Sequence, residues 1–249
     1  MARFTGKTVL VTGGTSGIGL ATAEAFLHEG ATIVITGRNA DTLQTAVNDL
    51  NGDVTTIQAD VRSMADIEKM AAVVAEKFDT LDVVFVNAGI AKFAPAEATP
   101  EELLDQIMDV NFKGAFFTAQ KLLPLMNNGS AIVFNTSINN EMGMPNASVY
   151  AASKAAVRSL VRTFANEWIS KGVRVNAISP GPIETPILSK IGLSQEQLDG
   201  FAQSILPNIP MGRFGKSDEI AKAVLFAASD DASFMTGEEI VVDGGWTGV

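Results

Sequence analysis

Tyr150 is the only tyrosine in the chain, and Lys154 follows it four residues later, within Ala151 to Trp168, a run of helical character. Residues four apart share a helix face. An ammonium beside a phenol stabilises the phenolate and lowers its pKa from about 10 toward neutrality. One group can then give a proton to a forming alkoxide or remove one from an alcohol. A Tyr and Lys at this spacing also describe an ordinary surface pair, so the surroundings decide. Ser137 follows the apolar run Ala131-Ile-Val-Phe134 and is expected to end a strand at the carboxyl edge of a sheet, where open α/β folds place ligands. Its hydroxyl would bond a substrate carbonyl oxygen there, or cap a turn. The single histidine, His28, falls at the end of the first predicted helix, so a Ser-His triad is not easily assembled. With no cysteine and one histidine, thiolate and histidine-cluster metal sites are excluded.

A second group of residues could hold an anion. Thr12-Gly13-Gly14-Thr15-Ser16-Gly17-Ile18-Gly19 lies between the apolar stretch Thr8 to Val11 and the helix-forming run Leu20 to His28. Glycine lets the backbone turn sharply and approach a ligand, and the free amides opening a helix attract a pyrophosphate. Strand, glycine turn and helix in that order point to a dinucleotide. Beyond the second predicted strand, where a carboxylate would hold a ribose 2′-hydroxyl, the chain reads Thr36-Gly37-Arg38-Asn39. A planar cation without a competing carboxylate favours NADP(H) over NAD(H), although Arg38 could also stack on adenine or stay in solvent.

Short β-branched runs alternate with helical patterns: Thr8 to Val11, Thr32 to Thr36, Val54 to Gln58, Asp82 to Val86, Ala131 to Phe134, Val173 to Ile178 and Glu239 to Val242. Several lack polar alternation, as strands buried on both faces do. The pattern predicts a single Rossmann-type, doubly wound α/β domain over residues 1–249, with a seven-stranded parallel sheet and helices on both faces. Thr99-Pro100-Glu101-Glu102 is expected to open a helix, with Thr99 as cap and Glu102 completing a capping box, and Gly30 to end the first helix. Residues around 183–215, rich in Pro, Gly and Ile, form a connection long enough to be a substrate lid.

The 28 acidic and 18 basic residues give a net charge of −10, which disfavours non-specific binding to nucleic acid or anionic membrane. No leader pattern opens the sequence and no apolar run approaches the ~20 residues that cross a bilayer, so a soluble, cytoplasmic protein is expected.

The ordered set Thr12-Gly-x-x-x-Gly-Ile-Gly19, Asp60-Val61, Asn87-Ala88-Gly89, Asn111, Ser137, Tyr150-x-x-x-Lys154 and Pro180-Gly181 resembles the short-chain dehydrogenase/reductase family from Thr5 onward. The resemblance implies that Tyr150 is the general acid and base, Ser137 orients and polarises the substrate, and Lys154 lowers the Tyr150 pKa and bonds the nicotinamide ribose. It implies that Asn111 holds a water linking Lys154 to solvent. Gly13, Thr15, Ser16, Gly17, Ile18 and Gly19 would cradle the pyrophosphate, Arg38 the 2′-phosphate, and Asp60 and Val61 the adenine. Asn87, Ala88 and Gly89 would line the groove, Asn87 also being able simply to tie strands together. Pro180, Gly181, Ile183 and Thr185 would face the nicotinamide. Many NADP-using relatives carry a basic residue where this chain has Ser16, which leaves the phosphate mainly to Arg38. The three-residue gap between Tyr150 and Lys154 favours carbonyl and alcohol chemistry over double-bond reduction.

The activity expected is that of a ketone or aldehyde reductase resembling 3-oxoacyl reductases. The alternatives are an NAD-linked alcohol dehydrogenase and a nucleotide-binding regulator without turnover; all four of Asn111, Ser137, Tyr150 and Lys154 favour catalysis. Ile138, Asn139, Asn140, Met142 and Met144, with Ile187, Leu188, Ile191, Leu193, Leu198, Phe201 and Ile205 of the lid, are candidate pocket residues for a moderately apolar substrate, about half of them expected to be core or subunit contacts. No basic cluster stands out for a substrate carboxylate or acyl-carrier phosphate. The final segment, Thr236 to Trp246, resembles the family's last strand, which implies a homotetramer.

Overall fold

The computed structural model describes residues 2–50, 52–186 and 195–249, apart from the side chains of residues 195, 197–199 and 201. Seven parallel strands form the main sheet: β1 (Thr8–Thr12), β2 (Thr32–Gly37), β3 (Val54–Gln58), β4 (Leu81–Val86), β5 (Met126–Asn135), β6 (Arg174–Pro180) and β9 (Glu239–Val242). Their order is β3-β2-β1-β4-β5-β6-β9, so the winding reverses between β1 and β4. A crevice opens there beyond the carboxyl ends of the strands.

Alternate side chains of each strand enter opposite cores, as the two-residue period of a strand requires. Val9, Val11, Ile33, Ile35, Val83 and Phe85 pack on one face against α1 (Gly17–His28), α2 (Ala40–Asp49) and α8 (Ser217–Ala228), through Phe26, Leu43 and Val224. Leu10, Val34, Val84, Ile132 and Phe134 pack on the other against α3 (Met64–Lys77), α5 (Ala115–Leu122) and α6 (Ser148–Trp168), through Met70, Leu122 and Val161. Burial on both faces accounts for the continuous apolar runs.

All seven predicted strands are present. β5 begins earlier than predicted because Asn127-Asn128-Gly129-Ser130 reads as a turn, yet Ser130 donates to the Leu81 carbonyl at 3.1 Å and the Gly129 amide to Gly172 at 2.9 Å. Gly30 follows the end of α1 with φ +86°, as expected of a helix-ending glycine. The Thr99 cap is corrected. The helix α4 (Glu101–Met108) starts one residue later with Pro100 at its cap, and the Thr99 hydroxyl turns back to the Pro95 carbonyl at 2.9 Å.

The sequence also conceals a two-stranded parallel sheet, β7 (Ile183–Glu184) with β8 (Gly215–Lys216), which joins the two ends of the predicted lid. Two-residue strands far apart in sequence carry no readable period. A Cβ at Gly215 would lie 2.6 Å from Ile183 Cδ1, the end of a side chain that can turn aside.

Candidate active site

The glycine turn leaves β1 and enters α1 at Gly17, with Ser16 at the cap position and its hydroxyl not engaged in capping, so the helix presents its first amides to the crevice. Close backbone packing makes the glycines necessary. A Cβ at Gly19 would sit 2.3 Å from the Gly13 carbonyl oxygen, and one at Gly13 would sit 3.1 Å from Ala88 Cα in a backbone already at φ +64°. Asn87 ties three strand ends together: its Nδ2 donates to the Thr12 carbonyl at 2.9 Å, and its Oδ1 accepts from Asn135 Nδ2 at 2.8 Å. It also lines the cleft, so its structural and groove-lining readings hold together.

The crevice is a cleft of about 470 Å³. Gly13, Thr15, Ser16, Gly17, Ile18, Gly19, Arg38, Asp60, Val61, Asn87, Ala88, Gly89, Pro180, Gly181, Ile183 and Thr185 all line it, and so do Ser137, Tyr150 and Lys154. This cradle fits a dinucleotide, since the glycines let the turn pack closely against its neighbours and the first amides of α1 face the cleft. Arg38 is exposed at the end of β2, and among the described residues no carboxylate lies within ion-pair distance of it. The neighbouring Asp60 is taken by Arg62, whose Nη2 lies 2.6 Å from Oδ2, and this hydrogen-bonded guanidinium holds the Asp60 carboxyl below its ordinary pKa.

Ser137 lies two residues past the end of β5, not at its last position as predicted, and opens the single turn Ile138–Asn140. Its Oγ accepts from the Asn139 amide at 3.3 Å and lies near the Tyr150 side chain. Tyr150 and Lys154 stand on the first turns of α6, and Lys154 Nζ donates to the Asn135 carbonyl at 2.8 Å. The expected lowering of the Tyr150 pKa by Lys154 is corrected. Burial raises the phenol pKa and the nearby Ser137 hydroxyl opposes that rise, while Nζ is 5.9 Å from the ring centroid and directed at a carbonyl. Burial brings the Lys154 ammonium down to about 8.

Asn111 is buried in a π-helical turn, Asp109–Gly114, between α4 and α5, a local irregularity often found at functional sites. Its Oδ1 accepts from the Ile90 amide at 2.8 Å, and its Nδ2 donates to the Ile90 carbonyl and to Ser153 Oγ, both at 3.0 Å. Asn111 thus stands behind the cleft wall, clamping the chain after β4 to α6. Its Oδ1 and Lys154 Nζ face each other across Gly89, 3.3 and 3.6 Å from where a Cβ would project.

Of the predicted pocket residues, Ile138, Asn139, Met144 and Ile205 line the cleft, whereas Asn140 turns away to Glu239. Met142 is not among the lining residues. Ile187, Leu188, Ile191 and Leu193, and the side chains of Leu198 and Phe201, lie outside the described residues. Lys92, Phe93, Phe214 and Trp246 line the cleft without having been predicted. Phe93 packs edge-on to Tyr150 with centroids 5.9 Å apart. No local spacing marks these four, which come from three distant segments.

A family model described as Enoyl-(Acyl carrier protein) reductase matches residues 13–247. A 3-oxoacyl-acyl-carrier-protein reductase FabG from Thermotoga maritima is 39% identical, covering 98% of each chain. An NAD-dependent glycerol dehydrogenase from Listeria innocua is 36% identical, covering 98% of this chain and 95% of the relative. A crystal structure of levodione reductase superimposes with a TM-score of 0.93 at 34% identity, covering 98% of each chain.

Proposed function

The chain belongs to the short-chain dehydrogenase/reductase family, and from that membership we propose that it reduces ketones or aldehydes to alcohols with NADP(H) as hydride carrier. It is an oxidoreductase of C=O and CH–OH groups. The observation that carries the finer reading is that the Ser137 and Tyr150 side chains neighbour each other in the same cleft as the glycine cradle.

In the reductive direction the substrate carbonyl oxygen accepts hydrogen bonds from Ser137 and Tyr150, and the Tyr150 proton passes to that oxygen as it becomes an alkoxide. When bound, the nicotinamide supplies the hydride. Burial keeps the Tyr150 phenol protonated at neutral pH, as a proton donor requires. Lys154 adds a positive charge beneath the site and is placed to bond the nicotinamide ribose. Asn111 holds the Ile90 segment against α6, and its Oδ1, facing Lys154, is suited to a water path that returns the proton.

Arg38, which makes no ion pair among the described residues, is the reason for favouring NADP(H), and the Gly13–Gly19 turn would hold the pyrophosphate. Phe93, Ile138, Met144, Ile205 and Phe214 suit a neutral, moderately apolar carbonyl compound. The Tyr150–Lys154 spacing and the relative named as a 3-oxoacyl reductase support carbonyl chemistry over the double-bond reduction in the family model's description. The reading includes a homotetramer, supported by exposed Phe226 and Val241 on α8 and β9, and a cytoplasmic location, which a chain without cysteine suits.

The test is absorbance at the reduced-nicotinamide band with NADPH and NADH against ketones, aldehydes, diketones and 3-oxoacyl thioesters. The parent protein is expected to turn over with NADPH, and Arg38→Ala to lose that preference by about tenfold or more, the cost of one charge-assisted contact. Tyr150→Phe is expected to lose about 10²- to 10⁴-fold in kcat while NADPH still binds. Full activity in Tyr150→Phe would sink the mechanism, and cofactor binding without any turnover would favour the regulator.

A further inference from the structure

Glu239 is a buried carboxylate that the proposed chemistry does not use. Its side chain, on β9, is 6% exposed and reaches the turn that carries Ser137. Asn140 Nδ2 donates to Oε1 at 2.8 Å and to Oε2 at 2.9 Å. The Thr136 hydroxyl is within hydrogen-bonding reach of Oε1 and of the Ile178 carbonyl. Arg158 Nε, on α6, lies 3.6 Å from Oε2, and its Nη1 donates to the Gly237 carbonyl at 2.8 Å.

These contacts share one geometric result. Thr136 immediately precedes Ser137, and Asn140 closes the turn that Ser137 opens. One carboxylate therefore grips the chain on both sides of Ser137. Arg158 extends the grip to the helix of Tyr150 and Lys154, one turn beyond Lys154. A buried carboxylate is tolerated only when its oxygens are satisfied, so the Ser137 turn and α6 must adopt the spacing that satisfies it.

We propose that Glu239 is a positioning residue that sets the Ser137–Tyr150 geometry through Thr136, Asn140 and Arg158. This rests on the reading of Ser137 and Tyr150 given above. Glu239→Gln leaves Arg158 without its counter-charge and sets an amide nitrogen among donors, while Asn140→Asp sets two carboxylates face to face. Together, Glu239→Gln and Asn140→Asp restore one amide, one carboxylate and the original charge.

The experiment measures kcat, substrate KM and NADPH affinity for the parent, both single variants and the double variant of the full chain, with Tyr150→Phe as reference. Each single variant is expected to lose about tenfold or more in kcat, with NADPH affinity within about twofold of the parent, because small misplacement of reacting groups is costly. The double variant should recover to within about threefold of the parent, which coupled rather than independent sites produce. A merely structural role would lower the melting temperature and leave kcat of the folded protein at the parental value. Parental kcat in the single variants, or a double variant no better than the worse single, would overturn the proposal.

Should the single variants fail to fold, Thr136→Val, which removes only a hydroxyl, decides instead. A kcat loss of about threefold with unchanged cofactor affinity supports the proposal, and parental kcat overturns it. Parental turnover in Tyr150→Phe would overturn the proton-transfer reading and this inference with it. An inactive Tyr150→Phe beside a fully active Glu239→Gln would overturn only the role of Glu239.

Discussion

Lys154 shows how burial and function meet at a single residue. The residue is 6% exposed, the Asn135 carbonyl that its ammonium meets does not neutralise it, and its pKa falls to about 8 from an ordinary 10.5. The sign of the linked stability change follows. Below pH 8 both folded and unfolded chains carry the proton, and the folded state bears the full cost of a buried charge. Between pH 8 and 10.5 the folded chain has lost the proton while the unfolded chain keeps it, so stability rises with pH. At about 1.4 kcal/mol per unit the rise is worth ~3 kcal/mol. Urea unfolding of the parent and Lys154→Met between pH 7 and pH 10.5 should show the parent gaining by that order relative to the variant; parallel profiles would mean that Lys154 is solvated. The residue types at 137, 150 and 154 were legible as chemistry in the sequence. The sense of the Tyr150 shift was not, because it depends on how much low-polarity surface closes over the phenol and where Nζ points.

The elements translate glycine into binding geometry. In the turn from β1 into α1, the obstacle to a side chain at Gly19 is the Gly13 carbonyl oxygen at 2.3 Å and Asn87 Nδ2 at 2.6 Å, and backbone cannot step aside as a flexible side chain can. Gly19→Ala is expected to cost about 2 kcal/mol, the scale of overpacking, and to weaken dinucleotide binding by more than tenfold. Denaturant unfolding and a fluorescence titration with NADPH check the two effects, and a variant with parental values in both would show that the turn can relax. The strands were readable because burial on both faces writes continuous apolar runs. The Thr99 cap was misplaced because Thr99 satisfies the Pro95 carbonyl, a choice that the tetrapeptide does not encode. The π-helical turn around Asn111 was hidden too, since one extra residue per turn leaves no local signature and follows from the Ile90 and Ser153 contacts.

At the scale of the whole molecule, the exposed apolar side chains include Phe226 on α8, Val241 on β9, and Phe234 between the two in sequence. Assembly through these last elements is what the proposed homotetramer predicts. Light scattering should find a particle of four 26.2 kDa chains, and a monomer at working concentration would remove that part of the reading. The sequence by itself determined the α/β alternation, the seven strands of the main sheet, the glycine turn from β1 into α1 and the residue types at Ser137, Tyr150 and Lys154, because each is written in local period, local backbone freedom or residue type. Only the tertiary structure decided which distant side chains complete the cleft, the raised Tyr150 pKa and the grip of Glu239 on the Ser137 turn. Those depend on contacts between segments up to about a hundred residues apart, and the satisfaction of a buried polar group is settled by where the chain returns, not by what stands beside it in sequence.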